Sequence, residues 1–396
     1  MIPRHLESKL LDAARAYPVV YLTGPRQSGK TTLVIKAFPR LPYVSLEDPD
    51  ERDFALTDPR GFLGRFAKGA VLDEVQRVPE LLSYLQTDVD RDDRPGRFVL
   101  TGSQQLLLRS QVVQTLAGRA ALIHLLPFSY KELTRRKPPD PYSITRLSSH
   151  IKTPAIRLET LMYAGLYPRI HDKGLDAHDW LANYYRTYVE KDVRQLLRVG
   201  DLETYQRFVR VCAGRNGQLL NFSSLAADCG ISHSTARQWV STLQASFLVT
   251  LIRPHHRNFT KRLIKSPKLY FLDTGLLCYL LRINDAESLL THPQRGAIFE
   301  AFVISEIMKA FMNKGEEPPL FFWRDRTGHE IDLVIERGEE LLPVEIKSGR
   351  TVVSDSFKSL KFWLSLKGNP QDKGTLVYAG DKGFTREGIN VRPWFA

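Results

Sequence analysis

Cysteine is scarce: only Cys212, Cys229 and Cys278 occur in 396 residues. An odd, widely spaced set excludes a disulfide framework, and no pair has zinc-ligand spacing. They read as small buried hydrophobes in a reducing compartment. Long apolar runs are missing too. No stretch reaches the roughly 18 uncharged apolar residues of a membrane-spanning helix, so none is expected. The opening residues, MIPRHLESKLLDAARAYP, lack the apolar core and small-residue cleavage site of a secretory leader. They read instead as an amphipathic helix with Leu6, Leu10 and Leu11 on one face, and a cytoplasmic location is the expectation. Acidic residues are outnumbered: 44 Asp and Glu stand against 56 Lys and Arg, a net charge of +12. That balance favours a polyanionic partner such as nucleic acid, the alternative being a merely solubilising basic surface. The remaining composition, 43% hydrophobic and 25% charged, is that of a globular chain. Its length suggests two to four domains.

What is present begins at Val19. A short apolar strand, VVYLT, runs into Gly24-Pro25-Arg26-Gln27-Ser28-Gly29-Lys30-Thr31, then Thr32 and a helix. This is the G-x-x-x-x-G-K-T spacing of a phosphate-binding loop. The glycines let backbone N–H groups curl around phosphate oxygens, and the helix N-terminus adds partial positive charge. Lys30 supplies a full charge for the outer phosphates, and the Thr31 hydroxyl can ligate Mg²⁺. A nucleoside triphosphate and Mg²⁺ are therefore the expected ligands.

To about residue 135 the chain alternates strands and helices. The expected strands are Val19–Thr23, Tyr43–Leu46, Ala70–Leu72, Arg97–Thr101 and Ala120–Leu125, with helical patterns at Pro79–Val89 and Gln104–Leu116. Such alternation predicts a mostly parallel sheet with its ligand at the strands' carboxyl ends. After Ala70-Val71-Leu72 come Asp73, which can hold Mg²⁺ through its water shell, and Glu74, which can polarise an attacking water. Ser103, after the strand RFVL and Thr101-Gly102, can contact the γ-phosphate or cap a helix. Arg119 can reach a neighbouring subunit's nucleotide.

Together, Gly24–Thr31, Leu72-Asp73-Glu74-Val75-Gln76, Leu100-Thr101-Gly102-Ser103, Leu116-Ala117-Gly118-Arg119 and Leu126-Pro127-Phe128-Ser129-Tyr130-Lys131-Glu132 resemble the AAA+ ATPase core in its AAA_14 branch. Members of that branch carry a C-terminal region, DUF4143. The resemblance covers nearly the whole chain. It implies that the nucleotide is ATP, with Walker A at Gly24–Thr31, Walker B at Asp73-Glu74, a first sensor near Ser103 and an arginine finger at Arg119. A finger acting on a neighbour implies a homo-oligomer, a ring or at least a dimer. Arg169 is the candidate for a second-sensor arginine.

Residues from about 134 to 157, rich in Pro, Ser and basic side chains, read as a linker or exposed loop. Helical patterns follow to about Arg215, including Trp180–Arg198. From Asn221 a helix, a glycine turn and a second helix from Ser234 have helix-turn-helix spacing, with Ser232 or Ser234 as cap. The next stretch reads as a β-hairpin, the wing of a winged helix. From Cys229 to Leu272 the charged residues are Arg237, Arg253, Arg257, Lys261, Arg262, Lys265 and Lys268, with no Asp or Glu. One-sided charge of this kind suggests phosphate contacts with DNA. The alternative is a protein-packing surface.

Near the C-terminus, Glu300 lies in a helical pattern, Asp332 on a strand, and Glu345 and Lys347 on the next. Carboxylates at one sheet edge can hold Mg²⁺, and a nearby lysine can orient or deprotonate water, which suits phosphodiester hydrolysis. These residues resemble the PD-(D/E)xK nucleases, with Ile331 in place of the leading proline. The resemblance implies Asp332 and Glu345 as metal ligands, Lys347 as the catalytic lysine and Glu300 as the helix acid. A fold of this kind can also persist as a binding module.

The expected architecture is α/β throughout: a P-loop AAA+ parallel-sheet core (1–135), a linker and helical lid (136–215), a winged helix-turn-helix (216–290) and a restriction-endonuclease-like α/β domain (291–396). The expected function is ATP-dependent DNA processing, in repair, recombination or junction remodelling, with or without DNA cleavage. A DNA-binding protein switched by ATP and an ATPase acting on proteins are the alternatives.

Overall fold

The structure, a computed structural model, describes residues 2–102, 115–146, 153–189, 202–255, 266–366, 369 and 374–396. Its first sheet has five parallel strands: β1 (Val19–Thr23), β2 (Tyr43–Ser45), β3 (Ala70–Asp73), β4 (Phe98–Gly102) and β5 (Ala120–His124). Their order is β2-β3-β4-β1-β5. These strands are apolar on both faces because both faces are covered. Val19, Tyr21, Leu72 and Leu100 pack into one apolar cluster with Phe62, Leu81 and Leu85. Their neighbours Val20, Leu22, Val71 and Val99 pack into another with Leu6, Leu10, Leu33 and Val34. The N-terminal helix, Glu7–Ala16, thus buries Leu10 against the sheet as its spacing predicts.

The second sheet has eight strands: β6 (Val249–Pro254), β7 (Lys268–Phe271), β8 (Leu320–Arg324), β9 (Glu330–Arg337), β10 (Glu340–Lys347), β11 (Thr375–Tyr378), β12 (Phe384–Arg386) and β13 (Ile389–Pro393). Its order is β12-β13-β11-β10-β9-β8-β6-β7. The expected hairpin forms, β6 antiparallel to β7, but β6 also pairs in parallel with β8. The hairpin is therefore an edge of the C-terminal sheet rather than a free wing. One apolar cluster runs from Leu126 to Phe395, taking in the helices of residues 158–245 and the sheet. At its centre lies the helix Arg295–Asn313, whose residues Ile298, Phe299, Phe302, Ile304 and Phe311 are buried on more than one side.

The stretch expected as an exposed linker is docked. A 3₁₀ turn, Pro141–Thr145, sets the Tyr142 ring 5.1 Å from Phe311, and the Thr145 carbonyl accepts from Asn390 Nδ2 at 2.9 Å. Proline and serine give that segment its turn, and Tyr142 anchors it. All three cysteines are buried, as expected, and burial pushes each thiol up. Among the described residues no helix is long and apolar enough to cross a membrane.

Candidate functional site

The phosphate loop follows β1 at the carboxyl edge of the first sheet. Gly24 has φ 152°, and a Cβ there would lie 2.1 Å from the Leu125 carbonyl oxygen, so only glycine fits. Gly29 has φ 93° and leads directly into the helix Lys30–Ala37. Lys30 is buried, and its ammonium donates to the carbonyls of Gly24 and Pro25 at 3.1 and 3.0 Å. The loop edges a cavity of about 650 Å³, also lined by Thr31, Thr32, Tyr43, Asp73, Glu74, Arg169 and Lys173. Ser28 Oγ is buried beside it with no hydrogen-bond partner. This cradle fits a nucleoside triphosphate.

Asp73 ends β3 and is buried. Thr31 Oγ1 donates to its Oδ2 at 2.9 Å, which places the two expected Mg²⁺ ligands side by side. Two further hydroxyls hold the same carboxylate: Tyr43, donating to Oδ2 at 2.7 Å, and Thr101, donating to Oδ1. Tyr43 was not among the residues expected from the sequence. Its signal lay in the topology, since β2 and β3 are paired with Ser45 beside Asp73. Glu74 adopts φ 57°, a left-handed conformation costly for a side chain of its type, and Gln76 Nε2 donates to its carboxylate. The strained turn aims Glu74 at the cavity it lines.

Arg169, the second-sensor candidate, lines this cavity from the helix Pro168–Lys173. Tyr184 reaches the loop as well, its hydroxyl donating to the Arg26 carbonyl at 3.4 Å. Ser103 lies outside the described residues. Arg119 precedes Ala120, and Val19 pairs with Ala120 while Thr23 pairs with His124. It therefore sits at the amino edge of the sheet, six residues of strand, roughly 20 Å, from the start of the loop. There it forms an ion pair with Asp90 and stays partly exposed.

The helices Phe222–Cys229 and His233–Ala245 meet at Gly230, whose φ of 67° makes the turn. Ser232 caps the second helix, its Oγ accepting from Thr235 N at 3.0 Å. Trp239 is buried, whereas Arg237, Gln238 and Ser241 are exposed. Arg253 is exposed on β6. Arg257, Lys261, Arg262 and Lys265 lie outside the described residues. Lys268 departs from expectation. It is buried and ion-paired to Glu330 and, at 3.5 Å, to Glu300, so it is not placed to meet a phosphate. It begins β7, one arm of the hairpin, and its side chain turns inward to these carboxylates.

Around Lys268 the C-terminal carboxylates gather. Tyr270 donates to Glu300 Oε1, and Lys347 Nζ donates to Glu345 Oε1 at 2.5 Å. Asp332 Oδ2 accepts from the Ile346 amide at 2.8 Å. Burial, with the Asp332 charge nearby, pushes both Glu300 and Glu345 upward. Yet among the described residues no three Asp, Glu, His or Cys side chains converge closely enough to hold a metal ion. Glu300, Asp332 and Glu345 are neighbours all the same: the Asp332 charge acts on both glutamates, and Glu345 Oε2 is buried with no hydrogen-bond partner. The ammonium groups of Lys268 and Lys347 are counter-ions to these carboxylates, Lys268 to Glu300 and Glu330 and Lys347 to Glu345.

Comparison with known proteins agrees with this layout. A family model described as an AAA domain, AAA_14, matches residues 16–134, and a domain of unknown function, DUF4143, matches residues 295–395. A second domain of unknown function, DUF8612, matches residues 156–287 between them. Uncharacterized protein Rv2008c of Mycobacterium tuberculosis is 31% identical over 386 residues, covering 96% of this chain and 81% of its own. Uncharacterized protein Mb2031c of Mycobacterium bovis matches to the same extent, 31% identical over 386 residues. Among solved structures, the Walker-type ATPase PABY2304 of Pyrococcus abyssi is 14% identical with a TM-score of 0.46, covering 71% of this chain and 96% of that one. With its phosphate loop, its Asp73-Glu74 pair, the two matching domains and a relative 31% identical along 96% of its length, the chain belongs to the family of AAA ATPases that join an AAA_14 domain to a DUF4143 region.

Proposed function

We propose that ATP hydrolysis by this chain drives the handling of DNA. Hydrolysis would use Lys30 to bind the phosphates and Glu74 to polarise the attacking water. Mg²⁺, held by Thr31 and Asp73, would neutralise phosphate charge. Arg119, at the far edge of the sheet, would serve the nucleotide of a neighbouring copy in a homo-oligomer. The observation that carries the DNA reading is the capped second helix with Arg237, Gln238 and Ser241 on its open face, together with exposed Arg253. Coupling to the nucleotide has a physical route, because the region from 156 to 287 touches the phosphate loop through Tyr184 and edges its cavity with Arg169 and Lys173. DNA binding measured by fluorescence anisotropy at several salt concentrations tests this. Arg237→Ala should weaken binding to all sequences alike and reduce the salt slope by about 1. Identical binding curves for this variant and the native chain would remove the helix from the interface.

A reading in which DNA is gripped but not cut is favoured by the ammonium of Lys268 between Glu300 and Glu330. Linear, single-stranded and branched DNA incubated with Mg²⁺ should remain intact. Cleavage that disappears in Asp332→Ala would reinstate the nuclease reading.

A further inference from the structure

The motif Leu126–Glu132 and the first few residues of the chain have no part in the chemistry above, yet they meet at the phosphate loop. Arg4 makes three bonds in three directions. Its Nη1 donates to the Ser28 carbonyl at 2.7 Å, its Nη2 to the Leu126 carbonyl at 2.6 Å, and its Nε to Glu132 Oε1 at 3.0 Å. The side chain is only 8% exposed, and its partner Glu132 is fully buried. The Phe128 ring lies 4.9 Å from the guanidinium carbon. Glu132 is itself fixed by the His5 amide and the Ser129 amide, each at 2.8 Å. This is a rigid fork on a rigid anchor, a geometry that a lysine cannot reproduce.

We propose that Arg4 is a positioning residue of the nucleotide site. Ser28 and Gly29 share a planar trans peptide, in which C=O and N–H point in opposite directions. Holding the Ser28 oxygen toward Arg4 therefore turns the Gly29 N–H to the other side, into the loop that receives phosphate. The bond to Leu126 ties the same guanidinium to the end of β5, whose Leu125 carbonyl packs against Gly24. Arg4 thus sets the pose of the loop at both of its glycines. It lies ahead of the residues that the AAA model matches, 16–134. The assignment stands whether or not the chain handles DNA.

Binding of ATP, ADP and adenosine to the full-length Arg4→Lys protein, measured by competition, tests it alongside a nucleotide-free melting curve and steady-state ATP turnover. Loss of one aligned donor should weaken ATP and ADP on the order of tenfold. Adenosine affinity should not move, and KM should rise more than kcat falls. Should Arg4→Lys not fold, Glu132→Gln carries the same comparison, with a smaller loss of ATP and ADP affinity, about threefold, in the same phosphate-dependent pattern. ATP affinity equal to that of the native chain, or an equal loss for adenosine and ATP, would overturn the assignment.

Discussion

Asp73 accepts hydroxyls from Thr31, Tyr43 and Thr101, so its carboxylate is fixed before any ligand arrives. Glu74, next to it, is held by a strained backbone and by Gln76. In the proposed hydrolysis the two acidic residues would have separate duties, Asp73 for the metal and Glu74 for water. Replacing Glu74 by Gln keeps the size and the turn but removes the base. ATP should still bind, and kcat should fall about 100-fold or more, as single-turnover kinetics and equilibrium binding would show. The Walker residues were legible in the sequence because their chemistry is local: glycines, lysine and threonine within one loop. Tyr43, Lys268 and Arg4 were not. Each gains its role from a partner far along the chain, as Arg4 does from Glu132, 128 residues away. Lys268 looked like part of a basic run, and only the closure of β7 onto the C-terminal sheet turned it inward.

At the scale of elements, the short helix Tyr130–Leu133 is the joint of the molecule. Ser129 and Glu132 cap it reciprocally, and the Tyr130 amide donates to Glu306 Oε2 of the long central helix at 2.7 Å. Lys131 donates to the Phe395 carbonyl at 2.9 Å, so the joint also grips the end of the chain. Glu132→Ala would leave the buried Arg4 guanidinium without its counter-ion. A loss of about 3–5 kcal/mol in unfolding free energy is expected, read by denaturant titration. Lys131 responds to pH. Burial, reinforced by the charges of Arg136 and Arg392, lowers its ammonium to about 8. The unfolded chain keeps that proton to higher pH than the folded one, so stability rises as pH climbs from about 8 toward the ordinary lysine range. Lys131→Met should flatten this rise in melting temperature. The five strands of the first sheet were readable because each is a short apolar run between polar loops. The docking of residues 139–145 was not, since proline-rich composition signals a turn but not what the turn packs against.

For the whole molecule, the two sheets stand in different relations to the sequence. The first is a local alternation of strands and helices, and its order follows from parallel connections. The second joins β6 and β7, still packed on the helices that precede them, to strands some 50 residues later. No periodicity announces such a pairing. Its consequence is that the helix-turn-helix, the carboxylate cluster and the long central helix share one apolar cluster. A change at the phosphate loop, felt through Tyr184 and the Pro168–Lys173 helix, would reach the exposed face of Arg237 through packed structure rather than across a loose linker. DNA on that face should in turn be felt at the nucleotide. The direct measurement is ATP turnover by the full chain without DNA and with duplex, single-stranded and branched DNA, using Lys30→Ala as the inactive control. Turnover that rises several-fold with at least one DNA form and is absent in Lys30→Ala is the predicted result. A rate that is the same with every DNA as with none would contradict the account.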